Sequence, residues 1–299
     1  MAQGAVDKAS RTAAVGMVLN GGLMVAKLAT GVLGHSYALV ADGVESLTDL
    51  LASVIVWRGI RTAARDPDSR HPFGYGKAES VSAAAVALIL ILAGVGICVQ
   101  AVREIATPHH GPAPFTLYVL IGVILIKLAL SKWTFEVGQS VRSPALLADA
   151  WHHRADAITS GAAFIGISVA LLGGDGWHVA DDWAALVASA VILLNGGFLL
   201  RGSVADLMDA APSEEIVDDI ARRASLVEGV IAIEKAMVRR SGGGYRVVLH
   251  VEADRKMTLE RAHVLGGRVR STLRESADIV DVVVHMEPHL TGQSDGASA

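Results

Sequence analysis

ALLADAWHHRADAITSGAAFIGISVALL, residues 145–172, is apolar enough in its second half to cross a bilayer, yet its first half holds Asp149, His152, His153, Arg154 and Asp156. A charged side chain at the centre of a bilayer costs about 3 kcal/mol or more, so such residues face a partner, a cavity or an ion. The stretch therefore reads as a membrane helix with a functional polar face. That reading predicts further spans and a second cluster of polar residues to meet this one.

The spans are present. The chain has 299 residues, 52% of them hydrophobic, and a mean hydropathy of +0.45. Its apolar residues lie in long runs rather than at scattered periods, and a spanning helix needs about 20 mostly apolar residues. Six runs qualify, at 13–33, 36–58, 80–102, 115–133, 145–172 and 178–200. The expectation is a polytopic α-helical membrane protein with six transmembrane helices within 13–210. A short tail, 1–12, precedes them, and a soluble domain, 211–290, and a disordered polar tail, 291–299, follow. The first run has no A-x-A cleavage signal after it and is expected to be retained as a span. Cys98 is the only cysteine, so no intrachain disulfide is expected. The net charge of −4 decides little, and nucleic acid is not an expected partner.

Basic residues set the orientation. Lys8 and Arg11 lie in the first tail, Arg58, Arg61, Arg65, Arg70 and Lys77 between spans two and three, and Lys132 and Arg142 between four and five; Arg201 follows span six. The alternate loops are GHSY, a segment at 103–114 with one Arg, and the acidic GGDGWHVADD. Both termini are expected in the cytoplasm.

The soluble region alternates helix and strand signals. SEEIVDDIARRASLVEGV carries a helical apolar pattern with Ser213 as an N-cap candidate, IAIEKAMVRR and YRVVLHVEAD alternate around a GGG turn, a helix starts at Thr258, and DIVDVVVHMEP is β-branched. The order α-β-β-α-β predicts a small α+β domain with helices on one face of a sheet.

The partner cluster lies in span two, ALVADGVESLTDLLASVIVW, with Asp42, Glu45 and Asp49. Its spacing of three then four residues repeats in Asp149, His152 and Asp156, and such positions share one helix face. The two spans run in opposite directions. At 1.5 Å per residue, Glu45 falls roughly 14 Å and Asp49 roughly 20 Å from the outer end of span two, with His152 roughly 10 Å and Asp156 roughly 16 Å from the inner end of span five. In a core about 30 Å thick, Glu45 comes level with Asp156 and Asp49 with His152. Asp42 falls toward the outer side and Asp149 toward the inner. Three carboxylates and one imidazole make a four-ligand site for a divalent transition ion: zinc suits it, Fe(II), Mn(II), Co(II) and Cd(II) remain open, and Cu(I) lacks a thiolate. The competing reading is a polar network joining two helices, which would leave three acids short of cations. His153 and Arg154 fall off the main stripe and are assigned to packing or to an inner vestibule, while Lys27 and Lys127 are explained by snorkelling or pairing with a carboxylate.

HHRADA on span five, ADGVESLTD on span two and the loop DPDSRHPFGYGKAES together resemble the cation diffusion facilitators, in particular their iron/zinc branch. The resemblance covers nearly the whole chain. It implies a homodimeric cation efflux transporter, not an enzyme, sited in a bacterial inner membrane. Such a protein exports Zn2+ or Fe2+ by proton antiport through Glu45, Asp49, His152 and Asp156, with Asp42, Asp149 and His153 along the pathway. It further implies a loop metal site at Asp68 and His71, where Tyr75 stands at the position of a third ligand. A charge interlock between Lys77 and Asp209 is implied too, with regulatory metal at His250, His263, His285 and Glu287; Glu234 replaces a histidine there and His289 is an added candidate. His152 is the expected proton carrier, since imidazole titrates near working pH.

Other classes fit less well. An intramembrane metalloprotease needs H-E-x-x-H, which is absent from the sequence. A channel needs weak multi-site binding rather than a cage. A relative selective for Mn2+, Co2+ or Cd2+, or a metal-sensing scaffold without flux, is compatible with the sequence.

Overall fold

The computed structural model describes residues 3–107, 111–141, 144–174, 177–276 and 278–290; the tail at 291–299 lies outside them. Six long helices come first, α1 (Gln3–Leu33), α2 (Tyr37–Ala63), α3 (Lys77–Ala106), α4 (Phe115–Val141), α5 (Pro144–Leu172) and α6 (Ala180–Leu207). α7 (Glu214–Ser225), β1 (Ala232–Ser241), β2 (Gly244–Ala253), α8 (Leu259–Arg274) and β3 (Ile279–Pro288) follow. Because α1 starts at Gln3, the expected tail 1–12 is mostly the opening of the first helix.

Among the described residues, five helices are long and apolar enough to cross a bilayer, namely α1 and α3 to α6. α2 is the sixth; its 27 residues match the others in length, but Asp42, Glu45, Asp49, Arg58 and Arg61 dilute its apolar character. Leu92, Ile158 and Phe198 point outward from their helices, as in helices that are apolar all round and meet lipid. Two compact units result, Met1–Ile55 with Ala85–Leu200, and Val56–Ala84 with Arg201–Ala299.

In the first unit α4 packs along α5 and α1 along α4. Ala38, Leu39, Leu120, Ala163 and Ile167 form a buried core between α2, α4 and α5. Lipid offers no hydrophobic drive for helix association, so small residues that admit close contact do the work. A Cβ on Gly31 would sit 2.8 Å from both the backbone N and Cγ2 of Val40, and one on Gly94 would sit 2.9 Å from Leu193 Cγ. The first amides of α2 need acceptors, as at every helix start. Asp181 of α6 supplies them: Tyr37 N donates to its Oδ2 at 2.7 Å, and Ser36 Oγ donates to its Oδ1 at 2.8 Å.

The second unit contains the α-β-β-α-β domain. β1 and β2 form an antiparallel hairpin and β3 joins β2 in parallel, giving the order β1-β2-β3. Val247, Leu249 and Val251 of β2 and Val282 of β3 meet Ile220 and Ala224 of α7 and Leu265, Val269 and Leu273 of α8 in one core. Since strand residues alternate faces, the other face carries Val248, His250, Glu252, Val283, His285 and Glu287. α7 has Glu214 and Glu215 in its first turn and Arg222 and Arg223 in its last, both favourable to the helix dipole. Ser213 stands at its N-cap, but its side chain makes no cap bond; its carbonyl accepts from Ile216 and Val217 instead. At α8 the Thr258 hydroxyl does accept, from the Arg261 amide.

Candidate metal centre

α2 and α5 present their acidic stripes to each other. His152 Nε2 lies 3.7 Å from Asp49 Oδ2 and 3.8 Å from Asp156 Oδ1, and one ligand atom from each of the three residues lies within 4.8 Å of the others. The level at which Asp49 meets His152 is the one that helix rise predicts. These three side chains, with Asp149, Asn20, Ser46 and Lys127, line a cavity of about 260 Å³.

Glu45 does not join the three. It lines a neighbouring cavity of about 390 Å³ with Asp42, Thr159 and Trp183. Asp156, expected level with Glu45, is engaged by Lys127, whose ammonium holds Asp156 Oδ2 and also donates to Asn20 Oδ1 at 2.8 Å. Asp42, expected along the pathway, is itself paired. It is buried, with Lys27 Nζ at 2.9 Å from Oδ1 and Ser160 Oγ at 2.8 Å from Oδ2. Thus both lysines pair with the acidic stripes. Sequence left their partners open because a lysine's reach spans several turns of a neighbouring helix.

Asp149 stands at the inner end of the site, 3.4 Å from His153 Nε2. His153 is fully buried, and a Cβ on Gly16 of α1 would lie 3.5 Å from its Nε2. Its ring centroid lies 6.3 Å from that of His152.

In the second unit, Asp68 and His71 come together within one turn, His71 Nδ1 lying 3.4 Å from Asp68 Oδ1. Asp68 Oδ1 accepts from the amides of Arg70 (2.9 Å) and His71 (2.8 Å), and Oδ2 accepts from Tyr75 Oη at 2.6 Å. Both carboxylate oxygens are committed to the turn. The Tyr75 hydrogen bond and then the His71 amide hold this exposed carboxyl down at about 2. Where a third ligand was expected, Tyr75 closes the loop. Lys77 bonds the Asp209 carboxylate and the Asp206 carbonyl, and Arg239 of β1 bonds the same carboxylate. Arg239 had no sequence signal, since nothing local ties β1 to the end of α6.

The open sheet face gathers three further side chains that could hold a metal ion. His250 Nδ1 lies 2.7 Å from Glu287 Oε1, and His285 Nε2 lies 3.4 Å from the same oxygen. The two imidazoles meet edge to face at 5.0 Å. A bulge between Ile233 and Lys235 leaves Glu234 unpaired beside His250, with 3.6 Å from its Oε2 to His250 Nδ1. Bulges re-aim side chains in this way. The Glu287 carboxylate beside it pushes Glu234 up, while hydrogen bonds from Glu234 and His250 hold Glu287 down. His263 is exposed on α8, across the sheet from this cluster. His289 pairs with Glu252, a residue that sequence reasoning missed although strand alternation places it on the His250 face.

The sequence profile described as "Cation efflux transmembrane domain" matches residues 13–208, and that described as "Cation efflux protein, cytoplasmic domain" matches 212–289. The manganese efflux system protein MneP of Bacillus subtilis is 28% identical over 284 residues, covering 93% of this chain and 96% of its own. Metal tolerance protein C1 of Arabidopsis thaliana is 30% identical over 291 residues, 92% of this chain and 61% of that longer one. The cation-efflux pump FieF of Klebsiella pneumoniae is 26% identical, covering 93% and 92% of the two chains.

Proposed function

This chain belongs to the cation diffusion facilitator family of divalent cation efflux transporters, and we propose that it exports Zn2+ or Fe2+ from the cytoplasm in exchange for protons. The observation that carries this reading is the convergence of Asp49, His152 and Asp156 from two facing membrane helices. One imidazole nitrogen and carboxylate oxygens are donors that suit zinc and ferrous iron.

The ion enters along Asp149 from the cytoplasmic side and binds between Asp49, His152 and Asp156. Carboxylates and a neutral imidazole are the binding forms, so protons leave as the ion arrives. Rearrangement of the bundle then brings Glu45 to the ion as a fourth ligand and opens the site to the opposite side, where incoming protons release the ion. The protein works as a homodimer through its cytoplasmic domain, with both termini in the cytoplasm of a bacterial inner membrane. His250, His285 and Glu287 take regulatory metal there, and the Lys77–Asp209 pair ties the inner ends of α3 and α6.

A second reading, Mn2+ as substrate, is favoured by the oxygen-rich donor set and by the activity that MneP's name records. Flux of Zn2+, Fe2+, Mn2+ and Co2+ into proteoliposomes, each with and without a pH gradient, tests both. The proposal expects the fastest flux for Zn2+ or Fe2+ and acceleration by the gradient. Indifference to the gradient removes the antiport, and fastest flux for Mn2+ selects the second reading.

A further inference from the structure

We propose that Lys127 is a tethered cation that shares Asp156 with the transported ion, holding the carboxylate while the site is empty and returning to it to help expel the ion. This rests on the reading that Asp49, His152 and Asp156 hold the cargo.

The geometry divides Asp156 between two cations. Its Oδ1 faces His152 at 3.8 Å, inside the three-ligand group, while Oδ2 is held by the Lys127 ammonium from α4. Lys127 is 2% exposed and lines the same cavity as the three ligands. It reaches the site from outside the ligand pair α2 and α5, so it can withdraw without moving either helix. Asn20 Oδ1 of α1, at 2.8 Å from Nζ, is an acceptor that stays when Asp156 turns to the ion.

Charge gives the lysine its effect. In the deprotonated, metal-binding form, with Asp49 and Asp156 ionised, His152 neutral and Lys127 charged, the set carries −1 before the ion binds and +1 with it bound. Without the lysine charge these values become −2 and 0. Lys127 therefore weakens binding of the ion and removes the deep well that two facing carboxylates would otherwise create. A transporter must release what it binds, and binding that is weak enough to leave speeds turnover.

Lys27 is the contrast. It is fully buried, its carboxylate Asp42 lies outside the three-ligand group, and Ser46 and Ser160 complete that network. It lines neither cavity, and its pairing serves the packing of α1 on α2.

The test uses the full-length protein in detergent and in proteoliposomes, with Zn2+ and Mn2+ as probes and Lys127→Gln, Lys127→Arg and Asp49→Ala as variants. Lys127→Gln is expected to tighten the metal Kd and lower the KM at least about tenfold, and to reduce turnover at saturating metal because release slows. Lys127→Arg, which keeps the charge, is expected to stay near the wild-type KM. A folding defect would instead weaken binding, and an unchanged or weaker Kd in a Lys127→Gln protein of native dimer mass overturns the inference. If Lys127→Gln fails to fold, Lys127→Met, which fills the stem volume without the charge, carries the test: the inference expects the same tightening, and an unchanged or weaker Kd overturns it. Asp49→Ala separates the two levels: if it binds and transports normally, the site reading itself has failed, whatever Lys127 does.

Discussion

His152 of α5 lies 3.7 Å from Asp49 of α2, two helices that run in opposite directions and are separated by about a hundred residues of sequence. Because Asp49 is the only one of the three grouped ligands that α2 contributes, removing it leaves the ion with donors from one helix. Asp49→Ala is expected to lower metal flux by at least about a hundredfold, in line with the loss of one charged ligand worth a few kcal/mol. The cavity beside Asp49 already holds polar groups, so the protein should still fold. Flux measured in proteoliposomes alongside dimer mass checks both halves. Normal flux from the variant removes Asp49 from the site.

The Asp68–Tyr75 hydrogen bond makes the loop after α2 sensitive to pH in a defined direction. Asp68 is held down at about 2, first by the Tyr75 hydroxyl and then by the His71 amide, against about 3.9 for an ordinary aspartate. A depressed acid contributes order above its ordinary range and loses it as pH falls toward the depressed value. The loop should therefore keep its turn at pH 5 and lose it between about 4 and 2. Tyr75 is raised by the same bond, so on the alkaline side the turn outlasts an ordinary tyrosine. Tyr75→Phe should move the Asp68 titration, followed by carboxyl NMR, back toward the ordinary range. An unshifted titration in the variant assigns the turn to the backbone amides alone.

Periodicity made much of this molecule legible. Long apolar runs exposed the spans, alternation exposed the three strands, and the rise of a helix put Asp49 level with His152. What periodicity could not carry is contact between elements of unrelated register. Lys127 reaches Asp156 because a four-carbon stem crosses from α4 to α5, a contact that no pattern on either helix contains. Asp68 reads as a ligand in the sequence because ligand chemistry and turn chemistry use the same carboxylate, and its turn bonds appear only in the structure. Glu234 is brought to His250 by a bulge, and a one-residue insertion in a ladder has no signature in an alternating run. His263 stays apart from that cluster for a simpler reason: its helix lies on the opposite side of the sheet.

The open sheet face should bind a divalent ion through His250, His285 and Glu287, whose donor atoms already lie within 4.8 Å of one another. The Glu287 carboxylate pushes Glu234 up, so a cation bound beside them should release protons and bind more strongly as pH rises. In full-length protein whose membrane site carries Asp49→Ala, calorimetry with Zn2+ should still report a site. His285→Ala should weaken it by about ten- to a hundredfold, the range seen when a metal site loses a supporting group. His263→Ala should leave it unchanged. Equal losses from both variants would mean that the site is assembled differently, with α8 taking part.

Among the described residues of the first unit, Lys27 and Asp42 form the most enclosed ion pair, 2.9 Å apart with side-chain exposures of 0% and 5%. Breaking such a pair by removing one partner costs about 3–5 kcal/mol, since a buried charge is left uncompensated, whereas removing both is often close to neutral. Lys27→Ala alone should therefore lower the thermal midpoint sharply. It strands Asp42, which retains the Ser160 hydroxyl as its remaining partner once the lysine is gone. Lys27→Met with Asp42→Asn should recover most of that loss, because methionine fills the lysine's stem volume and asparagine keeps a hydrogen bond to Ser160. Contacting residues couple by about 0.5–3 kcal/mol in double-mutant cycles, and this pair should fall at the upper end. Additive losses in the cycle would show that the two charges are compensated separately, with the burial of Lys27 depending on packing against α2 rather than on Asp42.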